Sequence, residues 1–472
     1  MSADAKSAPR IIVIGGGIAG LATAYLLQEL GRENGKSVQI TVLEALDVAG
    51  GSTRTDLDSG FTCEWGPNGF LDNEPATLEL VKRLNLTDDL VRADESASKR
   101  FIYYGGKMRE VPVKPPAFLT SNILPFGAKL RIAMELFVPA KRNGHEETVH
   151  SFGVRRLGRT FADFLLDPMV SGIFAGNTKE LSLPAVFPKM VEMERDYGGL
   201  FRAMIAKGRE AKKTGKVSGG PAGANAVLHT FKRGMGELTE TLLRALNATI
   251  RTSTPAEAIE LKNNVWTVKV SGEVLEADAV IMACPSYAAA DMIRGLSPKA
   301  ADAIGQIPFA PVEVVCHGHR AEDLGHSLHG FGVLIPRSEG VRSLGTLWSD
   351  SIFPGQAPKG VKLLRTLIGG AHDPGVTQMS TSEIERTAEQ DHQTLYHVKN
   401  PPVFRKVIRH EKGIAQYTIG HPARVAAIDA LERETRGLYF TGASYRGVSI
   451  NGCVKDAFRV ARNFWDNWRP QA

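Results

Sequence analysis

The amino-acid sequence predicts a mixed α/β (α+β) fold, and three observations carry that reading. An apolar, β-branched run, Arg10-Ile-Ile-Val-Ile14, meets a glycine cluster, Gly15-Gly-Gly-Ile-Ala-Gly20, and then a helical stretch. A second run of buried-strand type, Val38 to Leu43, closes a βαβ unit, and such units build parallel sheets with right-handed crossovers. Two more runs of this kind, Ala277 to Ala283 and Gly437 to Thr441, stand far downstream. Together they predict one Rossmann-like nucleotide domain assembled from three chain segments, with two insertions between them.

Each element has its own signal. Leu21 to Gly31 reads as a helix stopping at a glycine. Ala258 to Leu261 and Val265 to Val270 flank Asn263-Asn264, a hairpin signature. After the last strand, Gly452 to Trp465 reads as a helix. Leu157 to Leu166 and Gly198 to Lys213 have helical apolar spacing, whereas Val312 to His317 and Lys362 to Ile368 alternate as strands do. Residues 1–100, 246–305 and 421–472 are therefore expected to form the nucleotide domain, and residues 101–215 a helical insertion. Residues 216–245 and 306–420 are expected to form a β-rich substrate-binding insertion. Lys212 to Ala226 is a loop by composition, and no internal repeat is visible.

Composition narrows the function. At 472 residues, 43% hydrophobic and 23% charged, the chain is an ordinary globular protein of two to four units. Cys63, Cys284, Cys316 and Cys453 lie far apart without a CxxC pair, which argues against a zinc cluster and a disulfide framework and for a reducing compartment. No metal site is expected, and no Ser/His/Asp or paired-carboxylate constellation stands out among the 12 histidines. The longest uncharged run, Ile11 to Gln28, contains four glycines and reads as strand, turn and helix instead of a membrane span. Met1 to Arg10 lacks a secretory apolar region.

The net charge of +6 is concentrated in the middle of the chain: Phe101 to Arg142 carries +5 and Arg195 to Arg233 carries +7. That asymmetry implies an anionic partner, and a membrane surface is expected instead of nucleic acid. Phe118 to Val138 mixes large apolar with basic residues and is interrupted by Pro125, Lys129 and Arg131, so it cannot span a bilayer. It is expected to lie at the interface, with Lys114, Lys129, Lys141 and Arg142 near anionic headgroups.

The glycine cluster supplies GxGxxG through Gly15, Gly17 and Gly20, placed between a strand and a helix. Such a turn lets backbone N–H groups reach a pyrophosphate at the helix N-terminus. Glu44, 24 residues past Gly20, is placed to accept ribose hydroxyls. Further glycine turns at Gly50-Gly51-Ser52 and Glu64-Trp65-Gly66-Pro67-Asn68-Gly69 suit a long, extended dinucleotide. Val448-Ser449-Ile450-Asn451-Gly452 adds a second helix start. Gly219-Gly220-Pro221-Ala222-Gly223 lies in a polar loop, so no pyridine-nucleotide site is expected.

These features resemble the FAD-dependent amine oxidase and phytoene desaturase superfamily. From about Ile11 to Trp465 the sequence is similar to the protoporphyrinogen oxidase family. The matching stretches are Glu64 to Leu71, Lys99 to Tyr103, Ser171 to Asn177 with Glu180 to Ser182, Gly330 to Leu334, Ser351 to Pro354, Gln416 to His421 and Gly442 to Val448. Two positions depart: Pro422 follows Gly-His where an aromatic is common, and Gly452 replaces the usual Asp after Asn451. The resemblance implies FAD contacts at Gly15, Gly16, Gly17, Ile18, Ala19, Gly20, Glu44, Ala45, Gly51, Ser52, Gly66, Pro67, Asn68 and Gly69. It also implies Ala256 at the adenine, and Gly442, Ala443, Val448, Ser449 and Ile450 toward the isoalloxazine. Arg100 would pair with a propionate of a flat tetrapyrrole, Phe331 and Leu334 would sandwich a pyrrole, and Phe353 would form another wall.

The implied activity is oxidation of protoporphyrinogen IX to protoporphyrin IX in three two-electron steps, with oxygen as acceptor. The flavin carries the chemistry, so no catalytic side chain is expected. Coproporphyrinogen III is the alternative substrate, and an amine oxidase or carotene desaturase on the same scaffold comes after it. The family further implies a cytoplasmic, peripherally membrane-associated protein, and it allows a homodimer.

Overall fold

A computed structural model of the chain describes residues 8–112, 118, 120–142, 144–214 and 226–469. Strand β1 (Arg10–Ile14) pairs in parallel with β2 (Gln39–Leu43) on one side and with Ala279–Met282 on the other. Thr249–Arg251 extends the sheet beyond β2, and Leu438–Phe440 closes the opposite edge. The five parallel strands thus come from three distant stretches of chain. Side chains alternate across a strand. Ile11 and Val13 accordingly pack on helix α1 (Ile18–Glu33) and the last helix, Ile450–Asn467. Ile12 and Ile14 face the antiparallel meander Ala256–Lys262, Val265–Val270 and Glu273–Ala277. The turn between its first two strands is Asn263-Asn264, both at positive φ, the conformation a tight hairpin requires.

Helix α1 does not stop at Gly31 but runs on to Glu33. The glycine serves packing: a Cβ at Gly31 would lie 2.6 Å from the Trp465 ring. Trp465 Nε1 donates to the Leu27 carbonyl at 2.9 Å, which locks the two helices together.

A second, seven-stranded mixed sheet runs in the order Phe404–Ala415, Phe309–Arg320, Val361–Gly369, Gly345–Trp348, Gly332–Leu334, Phe101–Tyr104 and Lys107–Glu110. The sequence reading placed residues 101–110 in the helical insertion. They instead form a hairpin that joins this sheet, with Phe101 beside Val333 and Ile102 beside Leu334. A parallel pairing between such distant residues leaves no local trace. Helix Gly236–Ala245, read with the substrate insertion, packs Leu238 and Leu242 into the core beneath α1.

Helices dominate the chain from Phe126 to Thr214. At their centre the fully buried Arg156 donates to Glu135, whose carboxylate also accepts the Leu200 and Phe201 N–H groups. That carboxylate therefore caps helix Leu200–Thr214 while neutralising a buried arginine. Part of the +7 stretch is paired on the surface, in Arg195–Asp196, Lys232–Asp89 and Arg233–Glu240. Lys114, most of the Lys212 to Ala226 loop and its Gly219 to Gly223 run lie outside the described residues. No helix among the described residues is long and apolar enough to cross a membrane.

Candidate functional site

The nucleotide residues read from the sequence meet at the C-terminal edge of the parallel sheet, where α/β sheets bind ligands. Backbone hydrogen bonds draw them together. Gly15 N–H reaches the Leu43 carbonyl at 2.8 Å, and Gly50 N–H reaches that of Gly16 at 2.8 Å. Thr254 N–H donates to the Glu44 carbonyl and Ser253 N–H to that of Leu46, which sets Ala256 beside the Glu44 loop.

The three motif glycines do different jobs. Gly15 has φ +113°, and a Cβ there would lie 2.8 Å from the Ala283 backbone. At Gly20 it would collide with the Gly15 carbonyl at 1.9 Å. These two let strand, turn and helix close. Gly17 differs: a Cβ would meet no protein atom nearer than 3.9 Å, so this part of the turn faces open space. The first turn of α1 holds no acidic residue and no side chain caps it. A cradle that is sterically free and electropositive fits a diphosphate. Ile18, Ala19 and Ile450 bury their side chains, leaving only backbone to face a ligand.

Glu44 is buried, and its two oxygens accept the N–H groups of Gly16 (2.8 Å) and Leu46 (2.9 Å). About half the lone-pair capacity of a carboxylate stays free for ribose hydroxyls. Ala45 and Ser52 are exposed beside it. Ser52 also lies against Gly66, where a Cβ would approach its carbonyl to 2.6 Å.

Support for the Glu64 to Gly69 loop comes from residues the sequence reading did not assign. Arg365, buried in the Val361–Gly369 strand, donates from Nε to the Glu64 carbonyl (3.1 Å) and from Nη2 to that of Gly66 (2.6 Å). The signal was an arginine flanked by leucines at the centre of a strand, Leu-Leu-Arg-Thr-Leu-Ile. Arg54 stacks 3.6 Å over Trp65, whose carbonyl is held by His410. Glu64 accepts the Met235 N–H at 2.9 Å and the Thr55 hydroxyl at 2.6 Å. Burial pushes its carboxyl up to about 7, against the pull of Thr55, Met235 and Arg365.

On the far side, Tyr417 donates its hydroxyl to the Ala443 carbonyl (2.7 Å) and accepts the Gly447 N–H (2.8 Å). Gly442, at φ +114°, lies close to Ala19 at the start of α1. Val448 leads into Ser449, whose hydroxyl caps the last helix by accepting the Gly452 N–H. Both departures from the family pattern have structural reasons. Pro422 occupies the first turn of helix His421–Glu434, where proline is tolerated. Gly452 packs on Gly447 so closely that a Cβ would lie 2.9 Å from its Cα.

Arg100 and Phe331 become neighbours through the parallel pairing of Phe101–Tyr104 with Gly332–Leu334. The Phe331 N–H donates to the Lys99 carbonyl at 2.9 Å, and the Arg100 guanidinium sits 5.2 Å from the Phe331 ring centre. Arg100 reaches solvent, yet protein crowds it enough that desolvation lowers its pKa. Among the described residues no carboxylate or carbonyl partners this guanidinium. Leu334, half-buried, packs against Gly172 of the Asp167–Phe174 helix, so this wall joins sheet and helices. Phe353 departs from the sequence reading. It is 1% exposed and packs with Ala97, Ile352 and Phe331, which makes it a backing residue and not a wall.

The Phe118 to Val138 segment, apart from residue 119, forms helix Phe126–Ala133 and a 3-10 turn, Met134–Phe137. Phe126 (81% exposed), Leu130, Met134 and Phe137 (79% exposed) project from it into solvent. Lys141 differs from its expected role, because it pairs with Glu147 and donates its N–H to Glu194. Arg142 is exposed, and Lys129 donates to the Ser121 carbonyl.

Residues 18–463 match the family of flavin containing amine oxidoreductases. The chloroplastic protoporphyrinogen oxidase of Oryza sativa subsp. japonica is 32% identical, with 98% of this chain and 91% of that protein aligned. Coproporphyrinogen III oxidase of Bacillus subtilis (strain 168) is 27% identical over 94% of this chain and 95% of its own length. Among solved structures, an Exiguobacterium sp. 255-15 protein provisionally assigned as a protoporphyrinogen oxidase superposes with a TM-score of 0.82. Its identity is 24%, and 98% of this chain and 100% of that one are covered.

Proposed function

The chain belongs to the flavin containing amine oxidoreductase family, among relatives of the protoporphyrinogen oxidases, and from that premise we propose that it oxidises protoporphyrinogen IX with oxygen as acceptor. It is an FAD-dependent oxidoreductase of porphyrin biosynthesis. The observation that carries the substrate reading is Arg100, a crowded cation against an aromatic wall with no anion of its own among the described residues. A propionate would supply the missing charge, and charge-assisted, forked hydrogen bonds are strong in such a setting.

Bound flavin supplies the two-electron acceptor. The chain's own residues bind, orient and dry the site. The Gly15 to Gly20 turn holds the diphosphate and Glu44 the ribose. Arg365 fixes the Glu64 to Gly69 loop through two of its carbonyls. Tyr417 pins the Ala443 to Gly447 turn. Phe331 and Leu334 offer apolar surface to a macrocycle, and Arg100 sets its in-plane orientation. No side chain is assigned a proton-transfer role.

Coproporphyrinogen III is the second reading, supported by the similarity to the Bacillus enzyme. With four propionates it calls for more free cations. Nearby Arg337 is committed to Asp167, and Arg365 to backbone carbonyls, which favours the two-propionate substrate. The test is anaerobic mixing of the flavin-loaded protein with each porphyrinogen in turn, following loss of flavin absorbance. Faster bleaching by coproporphyrinogen III would reverse the assignment, and bleaching by neither would remove it.

The protein also docks peripherally on anionic membranes from the cytoplasmic side, in this reading. Support comes from Phe126, Leu130, Met134 and Phe137, large apolar side chains exposed together on one short segment with Arg142 nearby.

A further inference from the structure

Strand Phe309–Arg320 has two different faces. Val314 and Cys316 look toward Phe61 and Cys63, beneath the loop that Arg365 holds. Val315, His317 and His319 look the other way, onto helix Thr381–Tyr396. There Ile384 and Ala388 belong to the same apolar cluster as Val315, and His392 follows on the same stripe. Three histidines thus occupy core positions: His317 and His392 are fully buried and His319 is 2% exposed.

Their polar atoms are poorly met by protein. Among the described residues, neither ring nitrogen of His317 has a hydrogen-bond partner, nor has Nδ1 of His319. A neutral imidazole carries one N–H and one lone pair, and burying both unpaired is costly. The rings nevertheless converge. Their centres are 5.3, 5.4 and 6.0 Å apart with interplanar angles of 86°, 72° and 76°, and one nitrogen from each lies within 4.8 Å of the others. With zinc–nitrogen bonds of about 2.05 Å, tetrahedral ligand nitrogens stand about 3.3 Å apart and their ring centres about 5.2 Å apart. His319 Nε2 and His392 Nδ1 are 3.2 Å apart. Behind them, His392 Nε2 lies 2.7 Å from the Thr366 hydroxyl, itself 3.0 Å from that of Thr346. Donation from Nε2 to Thr366 turns the Nδ1 lone pair inward, the arrangement by which ligating histidines are oriented.

We propose that His317, His319 and His392 form a buried site for a divalent transition-metal ion of the zinc class, tying the substrate sheet to its covering helix. Burial favours the neutral imidazole, the form that ligates. Glu389 and Asp323 place negative charge near His319, with Arg405 opposing them. Thr366 faces this site while its neighbour Arg365 faces the flavin loop, so the ion sits across the sheet from the redox chemistry.

The test is to express the protein with added zinc, purify it without metal-affinity resin and measure metal by mass spectrometry after gel filtration in chelator-treated buffer. The expected result is about one zinc per chain, with His317→Leu and His392→Leu each cutting it about tenfold while flavin content is kept. Zinc returned to chelator-stripped wild type is expected to raise Tm by about 3–4 °C, a readout that needs no variant to fold. Zinc below about a tenth of an equivalent with no Tm response, or zinc retained in both leucine variants, overturns the assignment.

Discussion

Glu64→Gln is expected to stabilise the protein at alkaline pH and to do nothing in acid. The carboxyl is 2% exposed, and burial raises it from an ordinary 4.5 to about 7. Its folded pKa therefore exceeds its unfolded one. The protonated group's contribution to stability is fully present below about pH 4.5 and is lost as pH rises through about 7. A difference of about 2.5 pH units corresponds to about 3 kcal/mol, which wild type forgoes at pH 8. Glutamine carries no charge to desolvate, can accept the Met235 N–H and can donate to Thr55. An unfolding entropy of about 1 kcal/mol/K for a chain of this length converts the gain to about 3 °C in Tm. The assay is thermal unfolding of flavin-loaded wild type and variant from pH 5 to pH 8.5. A Tm difference that is constant across that range, or a variant less stable at pH 8, would refute the buried-acid argument.

The other predictions concern ligands and packing. Gly17→Val is expected to abolish FAD retention on gel filtration, because the side chain would fill the open space in front of the turn; a fully yellow variant would move the diphosphate elsewhere. Arg100→Ala is expected to cut kcat/KM for porphyrinogen about tenfold to a hundredfold through KM, at normal flavin content, with Arg100→Lys recovering part. Kinetics like wild type would remove Arg100 from the site. Replacing Phe126 and Phe137 together with Ser is expected to weaken sedimentation with anionic vesicles at low salt while turnover in detergent persists; unaltered binding would relocate the membrane surface. Gly452→Asp, which restores the residue usual in the family, is expected to destabilise by about 1–3 kcal/mol because Gly447 leaves no room for a Cβ, and an unchanged denaturation midpoint would contradict that packing.

Local signals made much of the nucleotide half legible. The uniformly apolar Ile11 to Ile14 strand, the Gly15 to Gly20 turn and the Asn263-Asn264 hairpin each declare themselves within a few residues. Features that depend on distant partners did not. The Phe101–Glu110 hairpin owes its place to Gly332–Leu334, which no spacing announces. Gly31 reads as a helix stop until Trp465 is seen against it. The family resemblance puts Phe353 on a wall, whereas its burial decides its role. The histidines at 317, 319 and 392 fall on two elements, and only the packing of helix on sheet brings them together.

The order of strands in the parallel sheet also sets when the protein can first hold its cofactor. Gly15 to Gly20 leave the ribosome early, but the neighbouring central strand, Ala279–Met282, and the edge strand, Leu438–Phe440, follow hundreds of residues later. Ile450–Asn467, which covers α1, comes later still. At a synthesis rate of about 5–20 residues per second, the first half of the nucleotide cradle waits tens of seconds for the second. During that interval the faces of β1 and α1 that Ala279–Met282 and Ile450–Asn467 will cover stay open, and they are surfaces for chaperones or for aggregation. The cradle is complete only when these last contacts close.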